Sequence, residues 1–176
     1  MSPVNFEARI EPLGGKLPTV SYHWDPETDI LSVACKGGAK STGLEGTVDL
    51  EGVDGSFVVL DVADGCLRGV DVVSWPDDVR TIPELATPAA PKDGRVVFPR
   101  RRSQPGVAAV EVDAALTVEK NPSESVFHLR VGQVRPVTVV RIADLLLVEV
   151  DKKTRLAGLW FLEVPPFPNV DAEATG

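Results

Sequence analysis

Apolar and polar residues alternate along much of the chain, in short runs separated by polar segments. Two such runs are VSYHW (20–24) and ILSVAC (30–35). Two more, SFVVLDV (56–62) and LRGVDVV (67–73), are joined by Ala-Asp-Gly-Cys. A period of two is typical of strands that bury one face, and Asp-Gly between apolar runs indicates a tight hairpin. The first part of the chain is therefore predicted to form four strands.

The same order of runs returns in the second half of the chain. YHWDPETDILSV (22–33) aligns with VEKNPSESVFHL (118–129), and LDVADGCLRGVDVVSWP (60–76) aligns with VEVDKKTRLAGLWFLEVP (148–165). Self-similar blocks in the same order indicate an internal duplication. The alignments bring these residues into register: Pro26 with Pro122, Leu67 with Leu156, Gly69 with Gly158, and Pro76 with Pro165.

Gly69 and Gly158 fall inside predicted strands, where a glycine usually marks a bulge or a close backbone approach. VTVVRI (137–142) predicts a further strand in the second copy. A four-stranded sheet has an apolar face that must be buried against another layer, and the other copy can supply that layer. We therefore predict an all-β protein with at most one short helix, in which two related four-stranded antiparallel units pack as a sandwich or a partly open barrel.

Prolines divide the chain into three parts. Residues 1–75 form the predicted first β-unit, 76–106 a proline-rich connector, and 107–176 the second β-unit, together as one compact domain. Six prolines in the connector exclude a long helix, so that only DDVRTI (77–82) is predicted to make a short helical turn. RVVF (95–98) is predicted as an added strand.

Composition indicates a globular protein with an acidic surface. Apolar residues make up 43% and charged residues 25% of the chain, as in ordinary folded domains. The net charge is −8, and residues 1–95 hold 16 acidic against 8 basic residues. Such a surface repels nucleic acid and anionic membranes. We therefore expect a protein partner or self-association, and neither nucleic acid nor membrane.

The sequence predicts a cytoplasmic protein without disulfides. No apolar run approaches the roughly 20 residues of a membrane-spanning helix. The first residues also lack a basic start followed by an apolar stretch, as a secretory signal would require. Cys35 and Cys66 are too few for a disulfide framework and have no CxxC spacing. They are interpreted as small apolar side chains within strands.

Three acids, Asp25, Glu27 and Asp29, alternate in the turn after Trp24 with the spacing of oxygen ligands in a calcium loop. The second copy offers NPSES (121–125) at this place, which could not supply the same carboxylates. Turn chemistry explains the stretch better, because an aspartate side chain can accept a bond from the backbone two residues on. No metal ligand is therefore predicted, and a calcium-binding module that uses these acids is the alternative.

Catalytic chemistry has little support in the sequence. His23 and His128 do not align between the copies, and no nucleophile or phosphate-loop motif is present. No catalytic residue and no cofactor are predicted, and the sequence favours a protein that is not an enzyme. A hydrolase with a site at the seam between the two units is the alternative. The basic cluster of Arg100, Arg101 and Arg102 is interpreted as a solvated loop without an assigned role.

Two blocks of the first copy, WDPETDILSV (24–33) and DGCLRGVDVV (64–73), resemble a small bacterial group, domain-of-unknown-function family 2283. Its members typically read Tyr-Asp-x-Glu-x-Asp-x-Leu-Tyr-Ile, followed by Asp-x-x-Gly-x-x-Val-Gly-Ile-Glu. In this chain Trp24 and Ser32 replace the two tyrosines. The residues that match are Asp25, Glu27, Asp29 and Leu31 in the first motif, and Gly65 and Gly69 in the second, where Val70 and Asp71 stand in the Ile-Glu places.

The resemblance implies that the chain carries two tandem copies of this family's domain. It supplies a fold but no catalytic residues, because the family has no established activity. Some members are suspected to be antitoxin-like companions of small toxin-like proteins. Together with the acidic charge, this predicts a non-catalytic binding or interaction protein of antitoxin or immunity type.

Overall fold

The computed structural model describes residues 7–38, 45–89, 91–99 and 107–168, with side chains in the last range described from residue 110 onward. Within these ranges the chain forms strands and turns and contains no helix. The prediction of an all-β protein is confirmed. The short helical turn predicted at 77–82 is wrong, because this segment contains an extended strand that pairs with the second sheet.

The described residues form two sheets, of eight and seven strands. In chain order the strands are β1 (Arg9–Glu11), β2 (Thr19–Trp24), β3 (Leu31–Lys36), β4 (Glu45–Glu51), β5 (Phe57–Ala63), β6 (Cys66–Ser74), β7 (Val79–Thr81), β8 (Lys92–Asp93), β9 (Arg95–Val97), β10 (Val107–Asp113), β11 (Leu116–Lys120), β12 (Phe127–Val131), β13 (Val137–Ala143), β14 (Leu146–Asp151) and β15 (Leu156–Phe161). The first sheet has the order β1-β9-β6-β5-β4-β10, and the β2–β3 hairpin joins it where β3 pairs with β6. The second sheet has the order β7-β11-β12-β15-β14-β13-β8.

Each sheet contains a five-stranded unit with the same order of strands. The first unit is β2-β3-β6-β5-β4 and the second is β11-β12-β15-β14-β13. The register also agrees, since Ala34 pairs with Gly69 in the first unit and Arg130 pairs with Gly158 in the second. The structure confirms the further strand predicted at 137–142 and adds its equivalent, β4, to the first unit.

In both units, the aligned glycine lets a neighbouring backbone carbonyl and a carboxylate come close to its own backbone. A Cβ atom on Gly69 would lie 3.0 Å from the carbonyl oxygen of Val33 and 3.2 Å from a carboxylate oxygen of Asp61. A Cβ atom on Gly158 would lie 3.0 Å from the equivalent carbonyl oxygen, of Leu129, and would collide with the Glu149 carboxylate. A β-bulge follows the paired carboxylate in both units. The predicted bulge and close approach are therefore confirmed.

One hydrophobic core joins the two sheets. Its cluster of buried residues draws on the inward faces of both units, for example Leu31 and Leu60 from the first and Leu129 and Phe161 from the second. Trp24 also packs edge-to-face on Phe127, with ring centroids 6.2 Å apart. The arrangement is consistent with the predicted sandwich or partly open barrel.

Polar contacts fasten β2 to the second unit along the seam. The Trp24 indole N–H donates to the carbonyl oxygen of Pro165 over 2.9 Å, and the Val20 N–H donates to Asp144 over 2.8 Å. The Tyr22 hydroxyl lies 2.7 Å from the carbonyl oxygen of Leu162. Burial raises the pKa of Tyr22, so its hydroxyl stays protonated and can donate.

Strands outside the two units also cross between the sheets. From the connector, β7 and β8 extend opposite edges of the second sheet, while β9 lies in the first sheet between β1 and β6, which confirms the strand predicted at 95–98. Strand β10 pairs in parallel with β4, so residues 107–113 belong to the first sheet. The chain therefore completes the first sheet before it enters the second unit at β11.

We expect Gly158→Ala to destabilise the protein by about 1–3 kcal/mol, because the added methyl group would force the Glu149 carboxylate and the neighbouring backbone apart. Urea unfolding would measure the free energy of unfolding. Gly15→Ala is the matched control, since nothing lies within 4 Å of the added methyl group there. Equal stabilities of the two variants would contradict the close approach.

Candidate functional site

The acids Asp25, Glu27 and Asp29 form a turn, as the sequence predicts. Asp25 accepts the N–H of Glu27 at 2.9 Å, and its backbone carbonyl accepts the N–H of Asp29 at the same distance. The bond from Glu27 lowers the pKa of the Asp25 carboxyl below its ordinary value. Asp29 has a φ of 62°, the left-handed conformation that aspartate tolerates in turns.

The second unit builds the equivalent turn with an amide. The side-chain oxygen of Asn121 accepts the N–H groups of Ser125 and Val126 at 2.8 and 3.0 Å. A carboxylate is thus not required for this turn. Among the residues that the structure describes, no three His, Cys, Asp or Glu side chains are grouped as a metal site would require. The calcium alternative has no geometric support at Asp25, Glu27 and Asp29.

The two histidines lie on the outer faces of different sheets, away from the seam. His23 is exposed and stands opposite Ser32 on the neighbouring strand. It alternates with Tyr22 and Trp24, which face the core. His23 therefore does not face the seam between the units, where the hydrolase alternative places its site. His128 is buried, and its contacts are with side chains of the second sheet.

His128 is the centre of a polar cluster on the outer face of the second sheet, here called the histidine cluster (Glu119, His128, Arg130, Glu149 and Trp160). Its Nε2 lies 2.8 Å from Glu149 and its Nδ1 lies 3.3 Å from Glu119. The Trp160 ring stacks on the imidazole at 4.0 Å and donates its N–H to Glu149 over 3.2 Å. Arg130 donates to Glu119 over 3.2 Å. Each carboxylate in the cluster therefore has a partner within the same sheet.

These partners keep Glu149 ionised although it is 8% exposed. Burial alone would raise the pKa of its carboxyl group. The hydrogen bond between His128 and Glu149 and the electrostatic attraction between them, with the bond from Trp160, outweigh burial and lower the pKa of Glu149 below its ordinary value. Both carboxylates of the histidine cluster thus have hydrogen-bond partners within the cluster.

The outer face of the first sheet differs in charge and in pairing. It presents six carboxylates from four adjacent strands, here called the acidic face (Asp49, Glu51, Asp61, Asp71, Glu111 and Asp113). All six alternate with buried aliphatic residues, so their side chains share the outer side. None of the six forms an ion pair with another residue of the described ranges. Lys36, at the end of β3, lies on the same side.

The register places like charges directly beside one another on this face. Asp49 is the partner of Glu111 and Glu51 is the partner of Asp113 in the parallel pair of β4 and β10. Directly opposed like charges destabilise a sheet. Burial and the charge of Asp71 raise the pKa of Asp61, which is the expected response of a carboxyl group crowded by another.

Asp61 and Glu149 occupy equivalent positions in the two units. Each is the cross-strand partner of the aligned glycine, Gly69 or Gly158. In the second unit, the carboxylate of Glu149 is hydrogen-bonded to His128 and Trp160. In the first unit Ser32 and Asp71 stand where those partners would be, and they bring no positive charge. In the part of the chain that the structure describes, the first sheet therefore has the same carboxylate beside the glycine without a positively charged partner.

A small cavity between the units is lined in part by Cys66, Arg68, Arg95 and Ile142. Its volume of about 20 Å³ has room for roughly one water molecule. Cys66 is buried in β6 and Cys35 lies in β3, and neither forms a disulfide. Burial raises the pKa of both thiols, that of Cys35 to about 11. The predicted role of both cysteines as apolar strand residues agrees with these positions, and the cavity is too small for a substrate.

Arg100, Arg101 and Arg102 lie outside the described residues. No helix in the described part of the chain is long and apolar enough to cross a membrane. The cytoplasmic location stays a prediction.

Comparisons with known proteins do not assign the chain to a family. No protein-family model matches the chain, and no curated protein matches it. The resemblance to domain-of-unknown-function family 2283 therefore stays a prediction.

The acidic face is not apparent from any single run of the sequence. Its signal is the alternation of acids with valines and leucines, as in TVDLE (47–51) and VEVD (110–113). Alternation shows that these acids share one side of a strand. It does not show which strands are neighbours, and the pairing of β10 with β4 brings the two runs together.

We expect Asp25→Asn to leave the melting temperature unchanged, because the asparagine oxygen can accept the same backbone bond, as Asn121 does in the second unit. Asp25→Ala removes the acceptor and should lower the melting temperature by about 2–4 °C. Thermal unfolding with and without millimolar calcium would test both points. A calcium-dependent rise that Asp25→Asn abolishes would contradict the role as a turn residue.

Proposed function

We propose that the protein is a non-catalytic interaction protein that binds a basic partner protein through the acidic face of its first sheet. The observation that carries this proposal is the set of six outward carboxylates without ion pairs among the described residues. The histidine cluster pairs its carboxylates internally, whereas no described residue forms an ion pair with the carboxylates of the acidic face, which an external partner could then bind.

The repulsion within the acidic face gives binding an energetic basis. Lysine or arginine side chains placed between Asp49 and Glu111, or between Glu51 and Asp113, would replace like-charge contacts with opposite-charge contacts. Complementary charge also speeds association and disfavours wrong partners. The net charge of −8 extends this field beyond the contact surface.

The partner's chemistry follows from the sign of the charge. Nucleic acid and anionic lipid surfaces carry phosphates and would be repelled. Proteins that act on nucleic acids carry basic surfaces, and an acidic protein face can cover such a surface. A role as an antitoxin- or immunity-like companion of a basic toxin fits this chemistry and the resemblance of the first copy to family 2283.

The proposal treats the two units as copies of one ancestral unit. Their equal strand order and register support this history. After a duplication, one outer face could gain the histidine cluster while the other kept exposed acids. The first sheet then carries the binding surface, and the second unit serves to cover the core.

Zero-length carbodiimide cross-linking in extract of the source cell, followed by mass spectrometry, would test the proposal. Carbodiimide joins carboxylates directly to lysine amines, so a partner on the acidic face should be linked at Asp49, Asp61 or Asp71. We expect a basic protein whose purified complex weakens at least tenfold in the variant Asp49→Asn/Asp61→Asn/Asp71→Asn.

The matched control is Glu27→Gln/Glu84→Gln/Glu163→Gln, which removes three exposed carboxylates outside the acidic face. It changes the net charge equally and should bind as the wild-type protein does. Equal weakening by both variants would show that overall charge, and not the acidic face, governs binding. A partner linked elsewhere, or no linked partner, would overturn the proposal.

A further inference from the structure

We propose that the outer edge of β10 binds an extended basic segment of the partner as an additional strand of the first sheet. This inference rests on the proposed function and specifies how the basic partner is recognised. The segment would alternate basic and apolar residues. Its main chain would pair with β10, and its basic side chains would stand on the acidic face.

Strand β10 has one partner, β4, among the described residues, and forms an end of the first sheet. The N–H of Ala114 donates to the carbonyl oxygen of Glu51 over 2.9 Å. In a parallel pair, every second residue of a strand directs its N–H and C=O groups to the same neighbouring strand. Like Ala114, Val112 and Val110 therefore direct their main-chain groups toward β4. The N–H and C=O groups of Glu111 and Asp113 then point to the open side, where another strand could pair with them.

The length of β10 sets it apart from the other strands at the ends of the two sheets. It spans seven residues, whereas β1 and β7 have three each and β8 has two. Short strands are a usual protection of sheet edges against further pairing. The edge of β2 is fastened to the second unit through Val20 and Tyr22. Strand β10 thus offers a long edge for β-strand addition.

Side chains on β10 define the chemistry of the added strand. Glu111 and Asp113 are exposed on the outer side, while Val112 is 7% exposed and faces the core. A neighbouring strand would lie about 4.8 Å away, so its outward residues would stand beside the two acids. Lysine or arginine suits those positions. An apolar residue between them would extend the inner face beside Val112.

A second copy of this chain is a poorer occupant of the same edge. Pairing of two β10 strands would bring Glu111 and Asp113 of one copy beside the same acids of the other. Like charges directly opposite one another are unfavourable, and this edge already contains two such contacts with β4. The edge therefore disfavours self-association and favours a segment of opposite charge.

The test uses two synthetic peptides, TKVKVKT and its acidic counterpart TEVEVET, with the full-length protein. Fluorescence anisotropy should show binding of the lysine peptide and none of the glutamate peptide. Amide hydrogen exchange should slow at Glu111 and Asp113 when the lysine peptide is added. No binding of the lysine peptide, or binding without protection of these amides, would overturn the inference.

Two substitutions at one position separate main-chain pairing from charge attraction. Glu111→Gln removes the charge and keeps the N–H group, while Glu111→Pro removes both. Proline is tolerated at an edge where the N–H group points to solvent, and circular dichroism would confirm that the variant folds. We expect at least tenfold weaker peptide binding by Glu111→Pro than by Glu111→Gln.

Equal affinities of the two variants would show that the acids attract the peptide without strand addition. That result would overturn the inference and leave the proposed function intact, because the acidic face would still bind a basic partner. Loss of partner binding in the Asp49→Asn/Asp61→Asn/Asp71→Asn variant is measured separately and tests the proposed function alone.

Discussion

The structure depends on the mutual burial of two apolar sheet faces. A single β-unit of this kind has one apolar face, and isolated it would leave residues such as Leu60 or Phe161 in water. One contiguous cluster of buried side chains contains residues from both units. Strands β7, β8 and β10 reinforce this contact by extending the sheets on either side of the core.

Burial of the inner faces leaves the outer faces free to differ. On the second sheet, His128 and Trp160 enclose Glu149 beside Gly158, and the result is a satisfied, mostly buried surface. On the first sheet, Asp61 has the equivalent place beside Gly69, without such partners. The function we propose uses this difference, since the acidic face is available to a partner while the core stays closed.

Local features were predictable from the sequence, and non-local ones were not. The Asp25 turn and the hairpin at Gly65 follow from short-range chemistry, and alternation identified most strands of the two units. Strand β4 was not predicted, although Asp49 and Glu51 alternate there with Val48 and Leu50. The parallel pairing of β10 carries no local signal. The acidic face depends on that pairing, so only the three-dimensional register could reveal it.

Native-state hydrogen exchange on the intact protein is the most direct test of the shared core. If each unit shields the other, the central amides of β5 and β6 and those of β14 and β15 should open together. Their opening free energies should then agree within about 1 kcal/mol and equal the global free energy of unfolding. Opening of one strand pair at a much lower free energy, while the other stayed protected, would show that the units fold independently and would contradict the account.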